Sequence, residues 1–281
     1  MKFKFKNLLP LLLPYLVLYI IGGLLSIPFN FLQYPSWAIH DFLKNLPFLI
    51  LPIIIFLLLR KHFFAIYLKL KCQVKQQGTS CFLKGSFIMG LMLTIALGLC
   101  YYAKGFQIVA LEQRFIGLNP IILNLILIGI ISNLFVCITE ELLFRGFLIT
   151  YLNQFSISYL KVIFIAAFIF SAGHIYLDPI HYIIAFLGGV TLGFAYYKTQ
   201  SLYYCMGIHF IYNLFNYLFT SAANEKHNNL IRPFIIKYEP SILSVDKIDI
   251  FICMTFIGLF LYLWYKLGHK EGPNKLNRVI T

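Results

Sequence analysis

The sequence predicts an all-α, polytopic membrane protein of about eight transmembrane helices, with N- and C-termini both cytoplasmic. Three observations carry that expectation. The 281-residue chain is 60% hydrophobic and 12% charged, with a mean hydropathy of +0.81, whereas charged residues make up about 25% of an ordinary soluble domain. Its apolar residues fall into runs near the roughly 20 residues a helix needs to cross a bilayer. Its 23 Lys and Arg residues also divide unevenly between alternate connections.

The runs cover residues 8–29, 46–59, 85–103, 121–144, 161–177, 179–198, 201–221 and 248–266. The first, within "MKFKFKNLLPLLLPYLVLYIIGGLL", has the basic start of a signal peptide. Its apolar stretch is too long for an h-region and no A-x-A site follows, so it reads as a span. The second is short, and the fifth and sixth follow one another closely. No soluble domain fits between the spans. The longest polar connections are 60–84 and 222–247, and the whole of 1–281 reads as one transmembrane domain. Gly188 and Gly189, with Gly193 four residues on, permit close helix packing.

Threading the chain with its N-terminus inside places 16 of the 23 basic residues on the inner side. They include Lys2, Lys4 and Lys6, the 60–84 cluster, and Lys266, Lys270, Lys275 and Arg278 near the end. The other seven, Lys44, Lys104, Arg114, Lys226, Arg232, Lys237 and Lys247, fall outside. This is the positive-inside pattern of a cell-membrane, multi-pass protein. It accounts for the net charge of +13 and the pI of about 9.4 without any nucleic acid partner. The six cysteines show no C-x-x-C pair and several lie inside apolar runs, so they read as small membrane hydrophobes.

Three polar clusters interrupt the apolar pattern. "TEELLFRGFL" carries Glu140, Glu141 and Arg145. An ionised side chain near the bilayer centre costs roughly 3 kcal/mol or more, so such residues usually mark function. Glu141 and Arg145, at i and i+4, share a helix face and can pair, while Glu140 points about 100° away and stays available. "FIFSAGH" puts Phe170 and His174 one turn apart, and "GIHFIYN" does the same for His209 and Asn213, with Asn216 three residues further. Taken alone, a membrane histidine or asparagine is often interhelical glue worth about 0.6 kcal/mol. His181, beside Asp178 and Pro179, reads as interfacial. At 1.5 Å per residue, Glu140, His174 and His209 lie roughly 22, 20 and 12 Å from the inner ends of their helices, so they can converge in one layer. The fourth helix is expected to continue to about residue 155 and to tilt or bend near Gly146.

Two histidines and a glutamate are also the ligand set of many catalytic zinc sites. A divalent metal on Glu140, His174 and His209 therefore stays open, with a metal-free site favoured. The motifs H-E-x-x-H, G-x-G-D and G-x-S-x-G do not occur.

In order, E-E-x-x-x-R (Glu140, Glu141, Arg145), F-x-x-x-H (Phe170, His174) and H-x-x-x-N (His209, Asn213) resemble the CPBP family. This is the group of intramembrane CAAX-prenyl-protease and bacteriocin-processing or immunity proteins often called Abi proteins. The resemblance covers residues 121–221, which it marks as the catalytic helical core. It implies an eight-helix intramembrane endopeptidase. In that scheme Glu140 and His174 activate water, His209 and Asn213 stabilise the oxyanion, and Glu141 and Arg145 support them. The implied substrate is a peptide or membrane-anchored protein in the lipid bilayer: a prenylated CAAX-like tail, a bacteriocin or signal peptide, or a sorted protein. A non-catalytic immunity or scaffold protein of the same fold and a transporter are the alternatives.

Overall fold

In the computed structural model the described residues are 78–111, 122–123, 125–174, 179–219, 234–238 and 247–267, with a few isolated positions before residue 51. Helix α1 (Thr79–Tyr102) is apolar all round, as befits a helix whose two faces meet protein and lipid. Gly85, Met89, Leu93, Ala96 and Cys100 are buried, while Leu83, Phe87, Leu91, Ile95 and Leu99 are exposed along the opposite side. After a turn with Lys104 at φ 52°, the chain enters strand β1 (Phe106–Leu111).

Next comes one unbroken helical run with alternating geometry. A π-helical segment (Leu125–Ser132) leads into α2 (Asn133–Glu141), a second π-helical segment (Leu142–Leu148) and α3 (Ile149–Leu152). Helices α4 (Tyr159–Ala172), α5 (Pro179–Thr199) and α6 (Leu202–Phe219) follow, then strand β2 (Phe234–Tyr238) and helix α7 (Lys247–Leu267). The α5–α6 turn is held by side chains. Gln200, at φ 52°, donates from its amide to the Tyr196 and Tyr197 carbonyls, and the Ser201 hydroxyl accepts the Tyr204 N–H at 3.1 Å, as an N-cap does.

Glycines set the helix crossings. A Cβ on Gly85 would run into the Tyr204 carbonyl, and one on Gly207 into the Phe82 carbonyl, so α1 and α6 touch backbone to backbone. The Ser86 hydroxyl donates to the Gly207 carbonyl at 3.3 Å across the same crossing. Between α4 and α5, a Cβ on Gly189 would come within 2.9 Å of Ala167 and one on Gly193 within 3.0 Å of Ile163. This is the close approach expected of small residues one turn apart. Helix α7 covers α5, with Gly188 against the Phe256 ring, a Thr191 hydroxyl donating to the Phe256 carbonyl, and Trp264 stacked on Phe194.

Two parts of the expected architecture need correction. Among the described residues three helices, Thr79–Tyr102, Pro179–Thr199 and Ile248–Lys266, are long and apolar enough to cross a membrane. That makes the chain a multi-pass membrane protein without supporting about eight transmembrane helices. The reasons are local. The run expected at 121–144 is divided by its π segments, and α4 stops at Ala172, spanning about 21 Å at 1.5 Å per residue where a bilayer core needs about 30 Å. Helix α6 carries tyrosines, His209 and two asparagines, which make it too polar. The spans expected at 8–29 and 46–59, and both chain ends, lie outside the described residues.

The second correction concerns the all-α class. Strands β1 and β2 pair antiparallel, from Phe106 opposite Tyr238 to Leu111 opposite Phe234, with an irregularity between Ile108 and Ala110. Both segments are rich in the β-branched and aromatic residues that favour strands. Their partners are more than a hundred residues apart in the chain, so no hairpin signal announces them.

Candidate active site

Helix α2 ends in Glu140 and Glu141, and the π segment that follows carries Arg145. π-helical turns are rare and frequently occur at functional sites. Here the wider turn accommodates a guanidinium that is 2% exposed, beside a Glu141 side chain that is 0% exposed. Arg145 Nη1 donates to Glu141 Oε1 at 2.9 Å, the expected i, i+4 pair. Its Nη2 reaches the Gly189 carbonyl of α5 at 3.4 Å, and the guanidinium carbon lies 4.8 Å from the centre of the Phe170 ring. The charge is thus met by a carboxylate, a peptide oxygen and an aromatic face. A buried ion needs such partners if its desolvation is to be offset.

The same Glu141 oxygen holds His209. His209 Nδ1 lies 2.8 Å from Glu141 Oε1, while its Nε2 lies 3.7 Å from Glu140 Oε2. An ionised Glu141 only accepts hydrogen bonds, so Nδ1 carries the proton on that side and the ring is fixed with Nε2 directed at Glu140. Glu140 differs from its neighbour: its side chain is 23% exposed, and Oε2 is buried without a hydrogen-bond partner. A buried carboxylate oxygen left unpaired is costly, and one beside a histidine is placed to act on a water or substrate proton.

Asn213, one turn beyond His209 on the same face of α6, donates from Nδ2 to the Cys137 thiol at 3.6 Å. Helices α2 and α6 are therefore antiparallel and in step, Glu141 meeting His209 and Cys137 meeting Asn213. Asn216, a turn further on, hydrogen-bonds Tyr212 on its own helix.

His174 is placed differently from expectation. It follows the end of α4 instead of lying within a helix reaching residue 177. Its N–H donates to the Ser171 carbonyl, and its Nδ1 lies 2.9 Å from the Phe170 carbonyl, which leaves Nε2 as an acceptor. Its ring packs edge-on against Phe170, 4.8 Å between centres, and Phe170 in turn lies 6.1 Å from His209. Phe170 is the platform between the two histidines and under Arg145. Among the described residues no hydrogen bond or ion pair joins His174 to Glu140.

Among the described residues no three His, Cys, Asp or Glu side chains are gathered so as to hold a metal ion.

Sequence spacing identified the Glu141–Arg145 pair and the shared face of His209 and Asn213. It missed the Glu141–His209 bond, the Gly189 carbonyl under Arg145, and Cys137 as the partner of Asn213. Of these only Gly189 carried a signal, as the middle of a small-residue patch.

No curated protein and no solved structure matches the chain. Residues 122–215, less than half of the chain but the segment holding every charged and amide side chain of this site, match the family described as type II CAAX prenyl endopeptidase Rce1-like.

Proposed function

We propose that the protein is an intramembrane endopeptidase that hydrolyses a peptide bond in a membrane-associated substrate, with residues 121–221 as its catalytic core. The observation that carries this reading is the His209 ring held between two carboxylates, one fully buried and paired, the other with a free oxygen. Glu140 takes a proton from water as the water oxygen bonds to the scissile carbonyl carbon. It returns that proton to the leaving amine as the carbon–nitrogen bond breaks. His174, with Nε2 as acceptor, orients the water. His209, steadied through Nδ1 by Glu141, directs Nε2 at the oxyanion. Asn213 supplies the second donor. Its present acceptor is a thiol sulfur, a weak one, so turning the amide onto a developing oxyanion costs little. Glu141 and Arg145 keep His209 in place.

The match at residues 122–215 and the three apolar helices support a membrane-bound peptidase. Within that class the substrate is a prenylated CAAX-like tail, a bacteriocin or signal peptide, or a sorted membrane protein. The test compares membrane and secreted peptides from cells carrying the wild-type protein or Glu140→Ala. A precursor that accumulates only in the variant, and is cut by purified wild-type protein, is the expected result. Identical peptide profiles, with no cleavage of membrane peptides by the purified protein, would favour the immunity or scaffold reading.

A further inference from the structure

An open cleft of about 610 Å3 lies between α1 and α7. Thr79, Ser80, Lys84 and the Tyr262 side chain supply its polar lining, and Leu83 and Phe87 part of its apolar wall. Both helices are long and apolar enough to cross the membrane, and they run antiparallel, with Gly258 against Met92. Neighbouring contacts bring other helix ends to the level of the cleft. Trp264 stacks on Phe194 near the end of α5, and Tyr159, at the start of α4, stacks on Tyr197 at 4.2 Å. Lys84, Lys161, Lys198 and Lys266 therefore share one end of the bundle.

Tyr262, Trp264 and Tyr265 are exposed at that end, the position aromatic residues take at a membrane–water interface. From the cleft, the exposed side chains of Leu83, Phe87, Leu91, Ile95 and Leu99 continue along α1 at steps of four residues, a stripe that faces acyl chains. Among the described residues no carboxylate pairs with Lys84. A cation and hydroxyls at the interface, joined to an apolar track running into the bilayer, match a ligand with an anionic head and a long apolar tail. Basic pockets between membrane helices bind anionic headgroups in this way.

We propose that this cleft binds an anionic diacyl phospholipid, with its phosphate at Lys84, Thr79 and Ser80 and an acyl chain along the α1 stripe. The site is separate from the Glu140 cluster, none of whose side chains lines the cleft, and the proposal does not depend on the catalytic reading.

Native mass spectrometry of the full chain in detergent tests it, with dioleoyl phosphatidylglycerol as probe and dioleoyl phosphatidylcholine and inorganic phosphate as comparisons. The expected result is retention of phosphatidylglycerol over phosphatidylcholine. Lys84→Gln should weaken that binding about fivefold, the worth of one lysine beside an anionic lipid. Lys161→Gln, an exposed lysine at the same end but outside the cleft, should leave it unchanged. Equal retention of both lipids, an equal loss in the two lysine variants, or displacement of phosphatidylglycerol by inorganic phosphate would each overturn the proposal. Because no cleavage is measured, failure here is distinct from failure of the protease assignment.

Discussion

Replacing Glu141 and Glu140 one at a time by glutamine separates their jobs. Glu141 is wholly buried, and its Oε1 is the acceptor for both Arg145 and His209, at 2.9 and 2.8 Å. Glu141→Gln keeps the shape but removes the charge, leaving a guanidinium that is 2% exposed with a peptide carbonyl and an aromatic face. Breaking a buried pair by removing one partner costs about 3–5 kcal/mol, which lowers the melting temperature by on the order of 10 °C for a domain of this size. Glu140 is half-buried, and its Oε2 has no hydrogen bond to lose. Glu140→Gln should therefore melt within a few degrees of wild type while abolishing peptide cleavage. Both variants are purified in detergent, and melting and cleavage of a labelled peptide are measured side by side. Near wild-type cleavage by Glu140→Gln refutes the base assignment. A Glu141→Gln protein that melts like wild type refutes the clamp.

Two further outcomes follow from the packing of α6. Asn213→Ala should lower turnover by about 10²–10³, the loss of one oxyanion donor, with KM little changed. Asn216→Ala, whose partner is Tyr212 on the same helix, should be mild, and steady-state kinetics that find equal effects would make both asparagines packing residues. Gly207→Ala pushes a methyl group into the Phe82 carbonyl, a backbone atom that cannot swing aside. It should cost about 1–3 kcal/mol of stability and reduce cleavage by shifting His209, two residues on, as thermal melts and turnover rates would show.

What could be read from the sequence follows the reach of local geometry. The four-residue spacings from Glu141 to Arg145 and from His209 to Asn213 lie on single helices, where i and i+4 share a face, and both survive in the structure. So does the packing forecast from Gly189 and Gly193. The Glu141–His209 bond spans 68 positions in the chain and needs α2 and α6 to be antiparallel and in register, which neither helix encodes alone. The ribbon of β1 and β2 was hidden for the same reason. His174 was misplaced by a shorter-range effect: its helix ends at Ala172, just before Gly173, where the apolar pattern continues but the hydrogen-bond ladder does not. Hydrophobicity also misjudged the number of crossings, because it ignores the π turns and counts tyrosine-rich α6 as apolar.

The pairing of Glu141 with Arg145 has a consequence for how the protein is made. The two residues lie one turn apart, so they can neutralise each other as soon as their own helix forms, before α6 has been synthesised. A lone carboxylate or guanidinium would resist entry into the lipid phase, whereas the joined pair lets this segment leave the insertion machinery without its distant partner. His209 arrives 68 residues later and docks onto a carboxylate already held in place. Assembly is thus stepwise: the newly made chain cannot hold the histidine clamp until the helix bearing His209 has packed against the one bearing the acids.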